Sequence, residues 1–138
     1  MPNANPKASS DDEVVLAELI AKWSKAVRDE DLAGIRANHD PDMLMFDVPL
    51  PLLSRGLDAY METWQTFYPS QVRPVIFDFE DLEITAGSDV AFATAIGHCV
   101  YIEGGKKTDL KFRLTMGFKK DDDRWRITHE HHSVPATD

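Results

Sequence analysis

Positive charge is scarce in this chain. Fifteen lysines and arginines stand against 24 aspartates and glutamates, a formal net charge of -9. A surface of that sign repels phosphate backbones and anionic lipid headgroups, and no basic run offsets it. Neither nucleic acid nor a membrane surface is therefore expected as a partner. Cysteine is nearly absent: Cys99 alone excludes an internal disulfide and fits a reducing, cytoplasmic location. Its place inside an apolar strand pattern favours a buried thiol over a nucleophile. No apolar run reaches the ~18–20 residues that a membrane span needs. The opening MPNANPKASS has neither the basic start nor the apolar stretch of a secretory signal, so residues 1–10 read as a disordered leader. A glycine-rich phosphate loop, a Walker pattern and a CxxC pair are all missing, and no cofactor is expected.

What remains is enough apolar material, 43% of 138 residues, for one core in one domain spanning 11–138. Ser10-Asp11-Asp12-Glu13 reads as a helix start. Val15, Leu16, Leu19, Ile20, Trp23, Ala26 and Val27 follow at three- and four-residue spacing. Asp29-Glu30-Asp31 breaks that pattern and caps a second, shorter helix through Leu32, Ile35 and Arg36. Asp40-Pro41-Asp42 reads as a turn and Met43 to Val48 as a short strand ended by Pro49 and Pro51. Arg55-Gly56-Leu57-Asp58 leads into a third helix carrying Tyr60, Met61, Trp64 and Phe67.

From Arg73 onward the period changes to two. Strands are expected over 75–85, 90–102 and 108–120, then from Trp125 to Pro135, joined by turns at Gly87-Ser88, Gly104-Gly105 and Asp121-Asp122-Asp123. Helices segregated from an antiparallel meander make an α+β domain, with the sheet curved around three N-terminal helices and a cavity at one end.

The last strand is chemically the richest. Read with strict alternation, Trp125, Ile127, His129, His131 and Ser133 share one face, apolar at one end and polar at the other. His129 and His131 then line a pocket, sit at a subunit contact, or join His98 or Asp47 as metal ligands; no metal is expected. Asp47, between Phe46 and Val48, is a candidate general base, or a structural acid that accepts from backbone N–H groups or pairs with Arg55. Trp23, Tyr60 and Trp64 are core aromatics that double as pocket wall. Arg113 clamps an anion if its strand face is inward, and makes cross-strand pairs if it is outward. His98 reads as a satisfied core histidine and His39 as a complement to a helix end, and both are counted with Trp125 among the candidate pocket residues.

In this order and spacing, several pieces of the chain resemble the nuclear transport factor 2-like superfamily, within it the SnoaL-like and ketosteroid-isomerase-like branch. They are Leu19-Ile20-Ala21-Lys22-Trp23, Asp31-Leu32-Ala33-Gly34-Ile35, Asp40-Pro41-Asp42, Phe46-Asp47-Val48-Pro49, Arg55-Gly56, Arg124-Trp125-Arg126-Ile127 and the His-Glu-His-His-Ser-Val-Pro ending. The resemblance covers about residues 11 to 135. It implies a cone-shaped, cystatin-like α+β fold, a homodimer formed through the sheet, and a small apolar or amphipathic ligand. In ketosteroid isomerases an aspartate on the first strand abstracts a proton, and Asp47 stands at the matching place. The helix-one tyrosine that holds the oxyanion there is matched by Trp23, and the second donor has no match in Leu110 to Phe118. The implied function is isomerisation, cyclisation or dehydration by proton abstraction next to a carbonyl, with Asp47, His129 or His131 as base. The alternative is a non-catalytic association module of the same fold.

Overall fold

Acids at one end and bases at the other suit the dipole of the first helix, α1 (Ser10–Arg28): Asp11, Asp12 and Glu13 lie in its first turn, Lys25 and Arg28 in its last. The computed structural model describes residues 10–136, so residues 1–9 of the expected leader lie outside the described residues, while Ser10 is already helical. Leu16, Ile20, Trp23 and Val27 form the buried stripe of α1. Asp31 caps α2 (Leu32–Arg36) by accepting a hydrogen bond from the Gly34 amide at 3.0 Å. Next come β1 (His39–Phe46), the two-residue β2 (Ser54–Arg55) and α3 (Leu57–Phe67), which buries Tyr60, Met61 and Trp64. A 3-10 turn, Tyr68–Ser70, closes α3. Four long strands complete the chain: β3 (Phe77–Ala86), β4 (Val90–Glu103), β5 (Lys106–Asp121) and β6 (Arg124–Ser133).

These strands form one six-stranded sheet in the order β2-β1-β6-β5-β4-β3. The expected meander of β3 to β6 is antiparallel throughout, but β1 joins the far edge of β6 in parallel. The sheet is therefore mixed. Local pattern cannot reveal this pairing, because β6 follows β1 by some eighty residues of sequence. The expected turn at Asp40-Pro41-Asp42 lies inside β1. Pairing there jumps from His39↔Ile127 to Leu44↔His129, and the Asp40 carboxylate accepts from the Asp42 amide at 2.8 Å. The turn chemistry is real, but it makes a bulge rather than an end.

The helices cover the inner face of the curved sheet, which takes the form of a cone. Small residues on β4 face large ones on β5: Ala93 pairs with Met116, Ala95 with Leu114 and Gly97 with Phe112. A Cβ on Gly97 would stand 2.3 Å from the Phe112 ring, so only glycine lets that ring lie across β4. Trp23, Trp64, Phe77, Phe79 and Phe112 make a continuous aromatic cluster, with ring centroids 5.3–5.9 Å apart along Trp23–Phe77, Trp64–Phe77 and Phe77–Phe112. Leu110, Phe112 and Met116 all turn inward, and Phe112 and Met116 are buried in the core, so none contributes to an outward association face.

One irregularity in β6 decides where its chemistry points. Phe118 pairs with Ile127, but Gly117 pairs with His129, so Thr128 is an extra residue. A β-bulge of this kind shifts the phase of alternation by one. Before it, Trp125 and Ile127 are inward; after it, Glu130 and His132 are inward. Gly117 sits opposite the bulge, where a Cβ would approach that of His129 to 3.3 Å.

Candidate functional site

A cavity of about 650 Å³ opens between α3, the inner sheet face and the 48–53 segment. Trp64, Phe67, Phe77 and Phe112 supply aromatic wall, and Met45, Cys99 and Leu110 supply aliphatic and thiol wall. Asp47 and His132 are the ionisable pair on its inner side. Asp47 reaches this position because β1 ends one residue earlier and Pro49 and Pro51 prevent further pairing. The amide of Val48 donates to Asp47 Oδ1 at 2.8 Å, which fixes the carboxylate at the strand end.

Behind Asp47 runs a buried chain of hydrogen bonds. His132 Nδ1 lies 3.3 Å from Asp47 Oδ1 and His132 Nε2 lies 3.0 Å from Glu130 Oε1. Glu130 Oε2 is 2.5 Å from His39 Nε2. Glu130 and His39 side chains are fully buried. Burial alone would raise the Glu130 pKa, but hydrogen bonds from His132 and His39, with their charges, outweigh it and lower the value to about 2. Burial would likewise lower His132, but its bonds to Asp47 and Glu130 and their negative charges raise it to about 9. His132 is thus an imidazolium at neutral pH, donating at both ring nitrogens. Glu130 is a buried carboxylate, tolerated because both its oxygens are occupied.

A second layer closes the chain from below. The Trp23 indole N–H donates to the Tyr60 hydroxyl at 2.9 Å, and the Tyr60 ring packs on His39 with centroids 4.7 Å apart. Burial first, then the Glu130 charge, hold the Tyr60 phenol protonated well above its ordinary range. In the cavity wall, burial and the Asp47 charge push the Cys99 thiol up to about 11, so it stays protonated.

The structure sorts the expected site residues into three groups. Asp47 and Trp64 line the cavity; Trp23, Tyr60 and His39 lie directly behind it. His129 and His131 do not share the face of Trp125 and Ile127, because the Thr128 bulge turns them outward. There they flank the Phe46 ring at 5.0 and 5.3 Å, and His129 Nδ1 donates to the Leu44 carbonyl at 2.7 Å. Partial burial and the nearby charges of His129, His132 and Arg113 lower the His131 pKa. His98 is not a core residue: it lies on the outer face, half-exposed, 2.8 Å from Asp109. Arg113 shares that face and donates to Ser133 Oγ at 3.0 Å, the cross-strand role rather than the anion clamp. Trp125 is remote from the cavity and donates to Asp12 Oδ1 at 2.9 Å, tying β6 to the start of α1. The three-ligand metal set is not assembled. Among the described residues no group of three or more His, Cys, Asp or Glu is placed to hold an ion.

Glu130 and His132 are the site residues that strict alternation misses. The signal for them is Gly117, a glycine inside an otherwise regular strand, which marks a bulge on its neighbour.

The sequence model of a family described as the SnoaL-like domain matches residues 16–137. The chain belongs to this SnoaL-like family. Solved structures agree. A nuclear transport factor 2-like protein of unknown function from Pseudomonas putida is 30% identical to this SnoaL-like domain, with 94% of this chain and 90% of that one covered and a TM-score of 0.83. A proposed ketosteroid isomerase from Shewanella frigidimarina is 22% identical over 84% of this chain and 92% of its own, TM-score 0.69. A proposed dehydratase from Streptomyces avermitilis is 13% identical over 93% of this chain and 100% of its own, TM-score 0.78. At those identities the last two share the fold alone. No curated protein matches this SnoaL-like domain.

Proposed function

We propose that this SnoaL-like domain binds a small apolar or amphipathic molecule in its cavity and moves a proton on it through Asp47. The observation that carries this is a carboxylate at the wall of a 650 Å³ apolar cavity, backed by a buried imidazolium and a second carboxylate. A cone filled by its own side chains would have favoured a pure association module; this cone is open. Asp47 is the group that meets the ligand. His132 carries a proton on each nitrogen and is not a base at neutral pH; it orients Asp47 and balances its charge. Asp47 takes a proton from a carbon next to a carbonyl and returns it elsewhere, the chemistry of an isomerisation or dehydration.

Incubating the protein in D₂O with a panel of apolar cyclic ketones, followed by NMR, tests this. Catalysed exchange at the α-carbon is expected, with loss in an Asp47→Asn variant that remains folded by circular dichroism. Exchange that persists in Asp47→Asn removes Asp47 from the role. We also propose that two copies associate through the outer sheet face, where Phe92 is exposed and Ile96 half-buried; a monomer by sedimentation overturns it. No helix among the described residues is long and apolar enough to cross a membrane.

A further inference from the structure

The segment between Asp47 and Arg55 reads Val48-Pro49-Leu50-Pro51-Leu52-Leu53-Ser54. Six consecutive apolar residues on a surface are unusual, and here Leu50 is 92% exposed and Leu52 87%. Five of the six line the mouth of the cavity; Leu52 does not. The apolar wall therefore continues outward as a collar that starts one residue after the Asp47 carboxylate. The two prolines limit how far the collar can collapse inward to cover itself.

The electrostatics at the inner end are one-sided. The His132 imidazolium is already shared between Asp47 and Glu130. Asp47 Oδ1 is engaged by His132 and the Val48 amide, while Oδ2 has no hydrogen bond from any described residue. A ligand here meets an acceptor, which a hydroxyl or N–H satisfies and a carboxylate does not. Arg55 stands at the rim as a competing attraction for anions, but its guanidinium is exposed and donates to the Asp42 carbonyl at 3.3 Å.

We infer that the cavity takes an uncharged amphiphile, with a hydroxyl or N–H donating to Asp47 and an apolar chain laid against the collar of Val48, Leu50 and Leu53. This rests on the proposed small-molecule site and names the class of molecule that fits it. A carboxylate head is disfavoured, because Asp47 and Glu130 carry two negative charges against the one positive charge of His132. Each methylene seated on the collar strengthens binding by about four-fold, the equivalent of about 0.8 kcal/mol.

Calorimetric titration of the intact protein with 1-hexanol, 1-decanol and decanoate tests the inference, using wild type, a Leu50→Ser/Leu53→Ser double variant and Leu52→Ser. The expected result is tighter binding of 1-decanol than of 1-hexanol, and decanoate weaker than 1-decanol by about ten-fold or more. The double variant loses the gain of decanol over hexanol. Leu52→Ser, the same kind of substitution at a single exposed leucine off the cavity, keeps it. If the gain survives in the double variant, the collar is not a chain subsite, although the cavity site stands. If decanoate binds as tightly as decanol, the uncharged-head inference falls. If no alcohol binds to any form, the small-molecule site itself fails. If the double variant instead changes the oligomeric state at unchanged alcohol affinity, the collar is a subunit contact and the inference is overturned.

Discussion

His131 and His132 are neighbours in sequence and opposites in circumstance. His131 lies on the outer face among other cationic groups, with its pKa lowered. His132 lies on the inner face between two carboxylates, with its pKa raised to about 9. Identical chemistry 3.8 Å apart along the backbone acquires contrary charge because one residue has acid neighbours and the other does not. The residue that assigns the faces is neither histidine but Thr128, the extra residue of the bulge. Function in this fold depends on which side of a sheet a group occupies, and one inserted residue sets that.

The sharpest way to break the contrast is to remove the acid that creates it. Glu130→Ala deletes the acceptor for both His39 and His132, leaving His39 without a carboxylate and His132 with Asp47 alone. A loss of about 3–5 kcal/mol in urea unfolding is expected, as for other broken buried ion pairs; a loss below about 1 kcal/mol would mean the chain is not fully desolvated. Next is Gly97→Ala, which drives the Phe112 ring off β4 toward the cavity. Overpacking costs about 1–3 kcal/mol, and binding of a cavity ligand should weaken in the same variant. Gly117→Ala, with its milder 3.3 Å approach on the outer side, should cost less than Gly97→Ala.

The pH dependence sharpens the comparison further. His132 is raised in the fold, so its contribution is complete below about 6.5 and disappears as pH rises through about 9. Glu130 is lowered in the fold, so its contribution is complete above about 4.5 and disappears as pH falls through about 2. Melting temperature should therefore decline between pH 6.5 and 9 in wild type, and a His132→Asn variant should lack that decline. The smallest effect is expected at His131→Ala, within about 0.5 kcal/mol and without change in the shape of the pH curve. A His131 variant that flattens the curve would exchange the roles of the two residues.

Much of this architecture is legible in residue spacing. The stripe of α1, the cap at Asp31, the strict alternation from Leu110 to Phe118 and the end of the first strand before Pro49 and Pro51 all follow from local physics. What escapes is non-local. The parallel pairing of β1 with β6 joins segments far apart in the chain, and Phe112, one wall of the cavity, takes its place because Gly97 on the next strand leaves room for its ring. The inward histidine is legible only if Gly117, on a different strand, is taken as a bulge marker for β6. Alternation is a local rule, and it fails where a neighbouring strand sets the register.

The central claim is that His132 is an imidazolium clamped between Asp47 and Glu130. Long-range nitrogen–proton NMR of the labelled protein across pH 5 to 10 measures it directly. Both ring nitrogens of His132 should be protonated at pH 7 and the ring should titrate near 9, while the His131 ring titrates below its ordinary value. A His132 ring already neutral at pH 7, with one bare nitrogen, would contradict it.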